Sequence, residues 1–264
     1  MFMLLHNYEG EGTLPFKETI AERKYDGTNI ILVVENGKVV SAINRRGVDK
    51  LSFFPELKTI DLKGFTGKVL GEVVVLHDDK DDFNALLSRE NTTNPLRREI
   101  LQKKHPITFM AYDILTEASL KERKKLLYNL CREANNEFFQ FVKFYLLSTD
   151  AELLAFKQFS VEQEWEGIIL KDYNSRYVPK RSYSWLKWKN KDEVEGVIKR
   201  VEEDAYGKFK AFVRVPICSE LVGVQVNNIG FQRKIRAGST KILIEYLELT
   251  KNGRLRQPVC KMVF

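Results

Sequence analysis

The chain has 264 residues, of which 44% are hydrophobic and 30% charged, a balance that excludes a disordered chain and supports one or two folded domains. Its net charge of +7 points to a polyanionic partner. Cys131, Cys218 and Cys260 are too few and too widely spaced for a disulfide framework or a metal knuckle, which fits a reducing, intracellular setting. The apolar start has no basic lead or cleavage site, and no stretch is long enough to cross a bilayer, so neither a signal peptide nor a membrane partner is expected.

In chain order, Lys24-Tyr25-Asp26-Gly27 comes first and precedes an apolar strand, Asn29 to Val34. A lysine there can be a nucleophile toward a nucleotide phosphate, but the same letters describe an ordinary hairpin turn. Asn36-Gly37 then predicts a type I′ hairpin returning through Val39 to Ile43. Lys68 to Leu76 and Ile107 to Leu115 read as strands, with Gly167 to Lys171 and Trp185 to Lys189 as shorter ones. Helices are expected over Phe83 to Arg89, over Leu120 to Ala134 with one apolar face, and over Ala151 to Phe159 after Thr149-Asp150, with Leu153, Leu154 and Phe156 inward. His77 to Asp82 reads as a hairpin turn with solvated charges. His6, His77 and His105 read as separate surface residues.

Composition shifts near Asn190. Residues 191–264 hold short strands (Glu195 to Val201, Lys208 to Val215, Leu221 to Val226, Lys241 to Glu248) punctuated by glycines that include Gly230, the pattern of a small β-barrel. That segment has 14 Lys+Arg against 9 Asp+Glu, whereas residues 1–190 have 29 against 27. The excess of positive charge therefore sits in the smaller unit.

Phosphate-binding loops are missing: Gly64-Phe-Thr-Gly67-Lys68 lacks Walker A spacing, and no GxGxxG follows a strand. Side-chain cations must then handle phosphate. Glu166 and Lys171 flank one apolar strand. Lys187 and Lys189 share a face with Trp185, which suits either an anion between them or a solvated edge. Glu72, in an otherwise apolar strand, needs a cationic partner or a metal.

Six segments in order resemble the motifs of the ATP-dependent DNA ligase family, within the covalent nucleotidyltransferases. They are Glu22-Arg-Lys24-Tyr-Asp-Gly27, Asn44-Arg45-Arg-Gly47, Gly71-Glu72-Val-Val-Val75, Phe109-Met-Ala-Tyr112-Asp113, Glu166-Gly-Ile-Ile-Leu-Lys171 and Trp185-Leu-Lys187-Trp-Lys189. Phe54-Pro-Glu56-Leu57, Asp82 to Arg89 and Leu249 to Pro258 resemble the compact bacterial and archaeal members, including the ligase domain of end-joining ligases.

The resemblance implies an α+β fold: an adenylation domain of antiparallel sheets with helices over residues 1–190, then an OB-fold barrel over 191–264. It implies that Lys24 attacks the α-phosphate of ATP, the co-substrate, and that the adenylate passes to a DNA 5′-phosphate before a 3′-hydroxyl displaces AMP. A free lysine, with a pKa of about 10.4, needs neighbouring cations to become nucleophilic. Glu22 would lie beside the adenine, Tyr112 would stack on it, and Glu72 would hold the ribose. Glu166, with Glu72, would bind Mg2+ or Mn2+. Lys187, Lys189 and, with less support, Lys171 would hold the α-phosphate. Arg45 would contact the nick 5′-phosphate, and Arg176, Lys180 and Arg181 the DNA backbone, making binding salt-sensitive.

Two departures stand out. Asn29 occupies the place of a family arginine that serves nick recognition, and this resembles the RNA ligase branch. The segment Arg256-Gln-Pro258 to Phe264 lacks the usual terminal basic cluster, leaving Arg254, Arg256 or Lys261 to orient pyrophosphate. The expectation is a minimal monomeric ligase acting on nicked duplex DNA in the cytoplasm. RNA ligation and, further off, mRNA capping with GTP are the alternatives.

Overall fold

The computed structural model describes residues 2–250 and 252–264. They form two compact units, one ending at Trp188 and one running from Lys189 to Phe264. In the first, the elements in order are β1 (Leu4–Asn7), β2 (Thr19–Arg23), β3 (Thr28–Glu35), β4 (Lys38–Asn44), a 3-10 turn (Pro55–Thr59), β5 (Gly67–Val74), β6 (Leu76–His77), β7 (Lys80–Asp81), α1 (Phe83–Asn91), α2 (Pro95–Lys104), β8 (Thr108–Ile114), α3 (Leu120–Ala134), β9 (Phe139–Phe141), β10 (Phe144–Leu147), α4 (Asp150–Glu162), β11 (Gly167–Asp172) and β12 (Arg181–Lys189). The second contains β13 (Asp192–Glu203), β14 (Phe209–Arg214), β15 (Val222–Gln225), α5 (Ile229–Arg236), β16 (Lys241–Tyr246) and β17 (Val259–Val263).

Two five-stranded sheets build the first unit, in the orders β1-β12-β11-β2-β10 and β4-β3-β5-β8-β9. β2 is antiparallel to β10 and β11, and β5 to β3 and β8, as expected. The parallel pairs β1/β12 and β8/β9 make both sheets mixed. The Asn36-Gly37 hairpin forms as expected, with both residues at positive φ (46° and 82°) between paired Glu35 and Lys38. α3 and α4 both start in capping boxes, Ser119 with Glu122 and Thr149 with Glu152. On α4, Leu153 and Phe156 are buried under the first sheet, but Leu154 is 50% exposed and does not face inward.

Two of the phrases that resemble the compact ligases, around Glu56 and Arg89, prove to be one structural feature. Glu56 on the 3-10 turn and Arg89 on α1 form a buried, two-pronged ion pair, and Arg89 also donates to the carbonyls of Phe53 and His105. His77 and His105 are not separate: their ring nitrogens lie 3.3 Å apart.

In the second unit the five strands close into an OB-like barrel ordered β13-β14-β15-β17-β16 around Val213, Val224, Ile242, Ile244 and Val263. Gly230 is not in a turn there. It lies in the first turn of α5, which Asn228 caps by accepting from Phe231 N.

Candidate active site

β2 ends at Arg23, and the chain then passes from the first sheet to β3 in the second through Lys24 to Gly27. This link is not a hairpin turn. Gly27 is needed for close approach, because a Cβ there would sit 2.2 Å from the Val73 carbonyl oxygen. Lys24 N donates to Gly167 O (2.9 Å), and the Lys24 amine forms an ion pair with Glu166, which directly precedes β11. The lysine side chain is 20% exposed and the carboxylate 5%.

The β6–β7 hairpin fastens the same link from outside. Asp81 Oδ2 accepts from Asp26 N at 3.2 Å, and Asp81 faces the Arg23 guanidinium at 3.3 Å. Arg23 also lies 4.4 Å from the centre of the Tyr25 ring and 5.4 Å from that of Trp165. Burial pushes the Asp81 carboxyl up to about 6, against the pull of Arg23. The hairpin is the expected one, with Asp78 and Asp79 at positive φ, but Asp81 is turned inward rather than solvated.

The second sheet supplies the opposite wall. Register places Asn29 beside Glu72 and Glu72 beside Met110, so strand alternation puts Asn29, Glu72 and Tyr112 on one face. Asn29 Nδ2 donates to Glu72 Oε2 (2.9 Å) and to the Tyr112 hydroxyl (2.8 Å). Burial raises the Glu72 carboxyl to about 7. Lys24 and the Asn29 hydrogen bond oppose the rise, while Glu166 and Asp26 add to it. Glu72 is therefore within electrostatic reach of Lys24, Glu166 and Asp26.

Beneath it lies a buried ionic triad. The Glu22 carboxylate pairs with both Lys171 (2.6 Å) and Lys124. Lys171 Nζ also sits 4.0 Å from the Trp185 ring centre and 4.9 Å from that of Tyr112. Burial lowers the Lys171 amine to about 8, although Glu22 pulls it up. On β12, Leu186 and Trp188 pack toward α4, leaving Trp185, Lys187 and Lys189 on the other face. Lys187 is half-buried, and Lys189 donates to Gln257 Oε1 at 3.1 Å within the second unit.

The family model for the ATP dependent DNA ligase domain matches residues 12–189. The chain is 31% identical over 210 residues to the SPbeta prophage-derived DNA ligase-like protein LigB of Bacillus subtilis, covering 74% of this chain and 69% of that protein. It is 26% identical over 211 residues to a DNA ligase of Methanosphaera stadtmanae, covering 76% of this chain but 37% of that one. The chain belongs to the ATP-dependent DNA ligase family. Solved folds agree: a Lig E DNA ligase superposes with a TM-score of 0.77 at 18% identity over 100% of this chain and 99% of its own. The ligase domain of Mycobacterium tuberculosis LigD gives 0.60 at 22% identity over 99% and 94%. Among the alternatives, these likenesses favour a DNA ligase with ATP as co-substrate over an RNA ligase or a capping enzyme.

Within this ligase the structure brings together Lys24, Glu166, Glu72, Asn29 and Tyr112. At three positions the structure adds partners that the sequence did not show. Lys24 has a carboxylate rather than a cation as its nearest charged partner. Lys171, expected beside the phosphate cations, is buried, lies against two rings and pairs with Glu22. Asn29, expected to face DNA, is half-buried, and its amide bridges Glu72 and Tyr112.

Arg45 and its neighbour Arg46 are exposed on a turn that the Asn44 side chain closes by accepting from Arg46 N and Val48 N. Arg176, Lys180 and Arg181 are exposed, and Arg181 donates to Leu5 O. Arg254, Arg256 and Lys261 are each paired with a barrel carboxylate (Glu220, Glu248 and Glu193). Asp81, Arg23 and Lys124 escaped sequence reasoning because their roles depend on partners far away in the chain.

Whether the cleft suits a divalent metal can be judged from its donors. Glu166 and Glu72 are hard oxygen ligands at its edge, and Glu72 carries a raised pKa beside two further carboxylates, an environment a cation would relieve. Among the described residues no three ligating groups cluster. Two carboxylates completed by substrate phosphates are the usual set for Mg2+, and the residues present fit it.

Proposed function

We propose that this ligase seals nicks in duplex DNA by three successive transfers, starting at Lys24. The Lys24 amine leaves Glu166, loses a proton and bonds to the α-phosphorus of ATP as pyrophosphate departs. AMP then passes from the lysine to the 5′-phosphate at a nick, and the 3′-hydroxyl attacks that phosphate and expels AMP. Each transfer is driven chiefly by positioning and charge neutralisation.

The observation that carries this reading is the group of Lys24 and Glu166, at the ends of β2 and β11, with Asn29, Glu72 and Tyr112 on one face of the second sheet. Tyr112 offers its ring to the adenine, and Asn29 holds that ring and Glu72 in register. Asn29 Oδ1 is buried without a hydrogen-bond partner, an acceptor suited to a nucleotide hydroxyl. Glu22 acts through Lys171 beneath the base. Glu166 and Glu72 would hold Mg2+ or Mn2+, which would supply neutralisation of phosphate charge. Lys187 and Lys189 hold the α-phosphate, and Lys189 gives up Gln257 to do so.

The first unit acts as the adenylation domain, and the OB-like barrel grips DNA. Arg45 takes the nick 5′-phosphate, and Arg176, Lys180 and Arg181 take backbone phosphates. The ligase works as a monomer inside the cell, and among the described residues no helix is long and apolar enough to cross a membrane. Sealing of a nicked duplex with an all-DNA 3′ strand, compared with one ending in ribonucleotides, tests the assignment. Efficient sealing of the DNA nick is expected, and sealing confined to the RNA-ended nick would overturn it.

A further inference from the structure

A second cavity of about 440 Å³ opens beside α3 and β10 and includes none of the cluster residues in its lining. That volume lies within the range of small-ligand pockets. Its walls are aromatic: Phe141 meets Tyr128 edge-on at 5.6 Å, and Phe144 packs against Tyr173 at 5.5 Å. Its charge comes from Lys124, Lys125 and Lys143, and among the described residues no carboxylate lines it.

Helix and strand geometry explain the arrangement. Lys124 and Tyr128 lie one turn apart on α3. Phe144 on the edge strand β10 pairs with Glu22, the carboxylate partner of the lining residue Lys124, although Glu22 itself does not line the pocket. Lys124 is buried, 5.2 Å from the Phe141 ring centre and 5.6 Å from that of Phe144. Its counter-ion Glu22 is shared with Lys171, so two ammonium groups divide one carboxylate. The rim residues Lys125, Lys143, Tyr128 and Tyr145 are exposed.

An aromatic box by itself would suit a cation, but three lysines exclude one. The ligand must present a flat, stackable face and a negative charge together. We propose that this pocket binds a nucleotide unit, its base stacked among Phe141, Phe144 and Tyr173 and its phosphate held by Lys125 and Lys143. Stacking of this kind tolerates any base. The unit could be a free mononucleotide or one nucleotide of a single-stranded DNA end, since both offer the same chemistry. The floor reaches the catalytic cleft through Glu22 and Lys171 to the rings of Tyr112 and Trp185.

The test uses the whole chain, first incubated with ATP and Mg2+ to load the catalytic cleft and then freed of unbound nucleotide by gel filtration. Thymidine 5′-monophosphate is titrated by calorimetry and a labelled, 5′-phosphorylated oligo(dT) octamer by fluorescence anisotropy. Wild type is compared with the exposed-residue variants Lys125→Glu/Lys143→Glu and Tyr128→Ala. Each variant is expected to weaken binding about tenfold, with self-adenylation from labelled ATP within about twofold of wild type. Equal binding of both probes identifies a free nucleotide as the ligand, and binding of the octamer alone identifies a strand end. Failure of both probes to bind, or binding indifferent to both variants while self-adenylation is normal, overturns the proposal without touching the ligase assignment.

Discussion

Among the described residues, every buried charged side chain, from Glu22 to Lys171, lies in the first unit, while the barrel built by β13 to β17 buries none. The barrel interior is aliphatic, and pairs such as Arg254–Glu220, Arg236–Glu203 and Lys261–Glu193 sit at its surface. Placing charge inside a protein costs several kcal/mol per ion unless partners are well placed. The first unit bears that cost repeatedly, in Glu56–Arg89, Asp113–Arg123 and the Glu22 triad. Such pairs hold chemistry in place. The barrel's exposed cations add little to stability but remain available to phosphate.

Opposite responses to equivalent mutations are the sharpest way to break this contrast. Arg123 meets Asp113 through two hydrogen bonds (2.7 and 3.0 Å) in a fully buried setting. Arg123→Met should cost about 3–5 kcal/mol, read as a fall in the denaturation midpoint. The barrel counterpart Arg254→Met should change stability by less than ~0.5 kcal/mol.

Next in size is a catalytic effect without a fold effect. Glu166→Gln keeps the shape of the Lys24 partner and removes its charge. It should slow self-adenylation at least ~100-fold, about 2.7 kcal/mol of barrier, with a fall in melting temperature smaller than that of Arg123→Met, because Lys24 keeps partial access to water.

Glu72 gives a response of the reverse sign. Folding raises its pKa from 4.5 to about 7, so the folded chain binds the extra proton. This group's contribution to stability is full below pH 4.5 and is lost as pH rises through 7. Glu72→Gln should therefore be more stable than wild type at pH 8, by at most ~3 kcal/mol, with the difference vanishing near pH 4. Thermal melts across that range read it directly.

The smallest effect belongs to the barrel. Lys210→Gln, at an exposed position of β14, should weaken DNA binding at low salt and reduce the slope of log affinity against log salt by about 1. A stability loss comparable to that of Arg123→Met would contradict the division between the units.

The legible parts of the sequence were those with local causes. The Asn36-Gly37 hairpin, α3 with its apolar face and the order of motifs around Lys24 and Glu72 depend on neighbours in the chain. β2 did not read as a strand: all five residues of Thr19–Arg23 are buried, yet Glu22 and Arg23 interrupt the apolar pattern. Its charges make sense only against Lys124, Lys171 and Asp81, each supplied by another element. α5 was hidden by Gly230, and β17 by the short, mixed segment Val259–Val263. Within the site, residue types were readable, but pairings were not: Glu166 and Lys171 flank one strand and serve different partners.

The central claim is that Lys24 carries the nucleotide. Incubation of the intact chain with ATP and Mg2+, followed by peptide mass spectrometry, tests it most directly. The account predicts an added AMP on the peptide containing Lys24 and none in Lys24→Ala. An adduct on another lysine, or one that persists in Lys24→Ala, would contradict it.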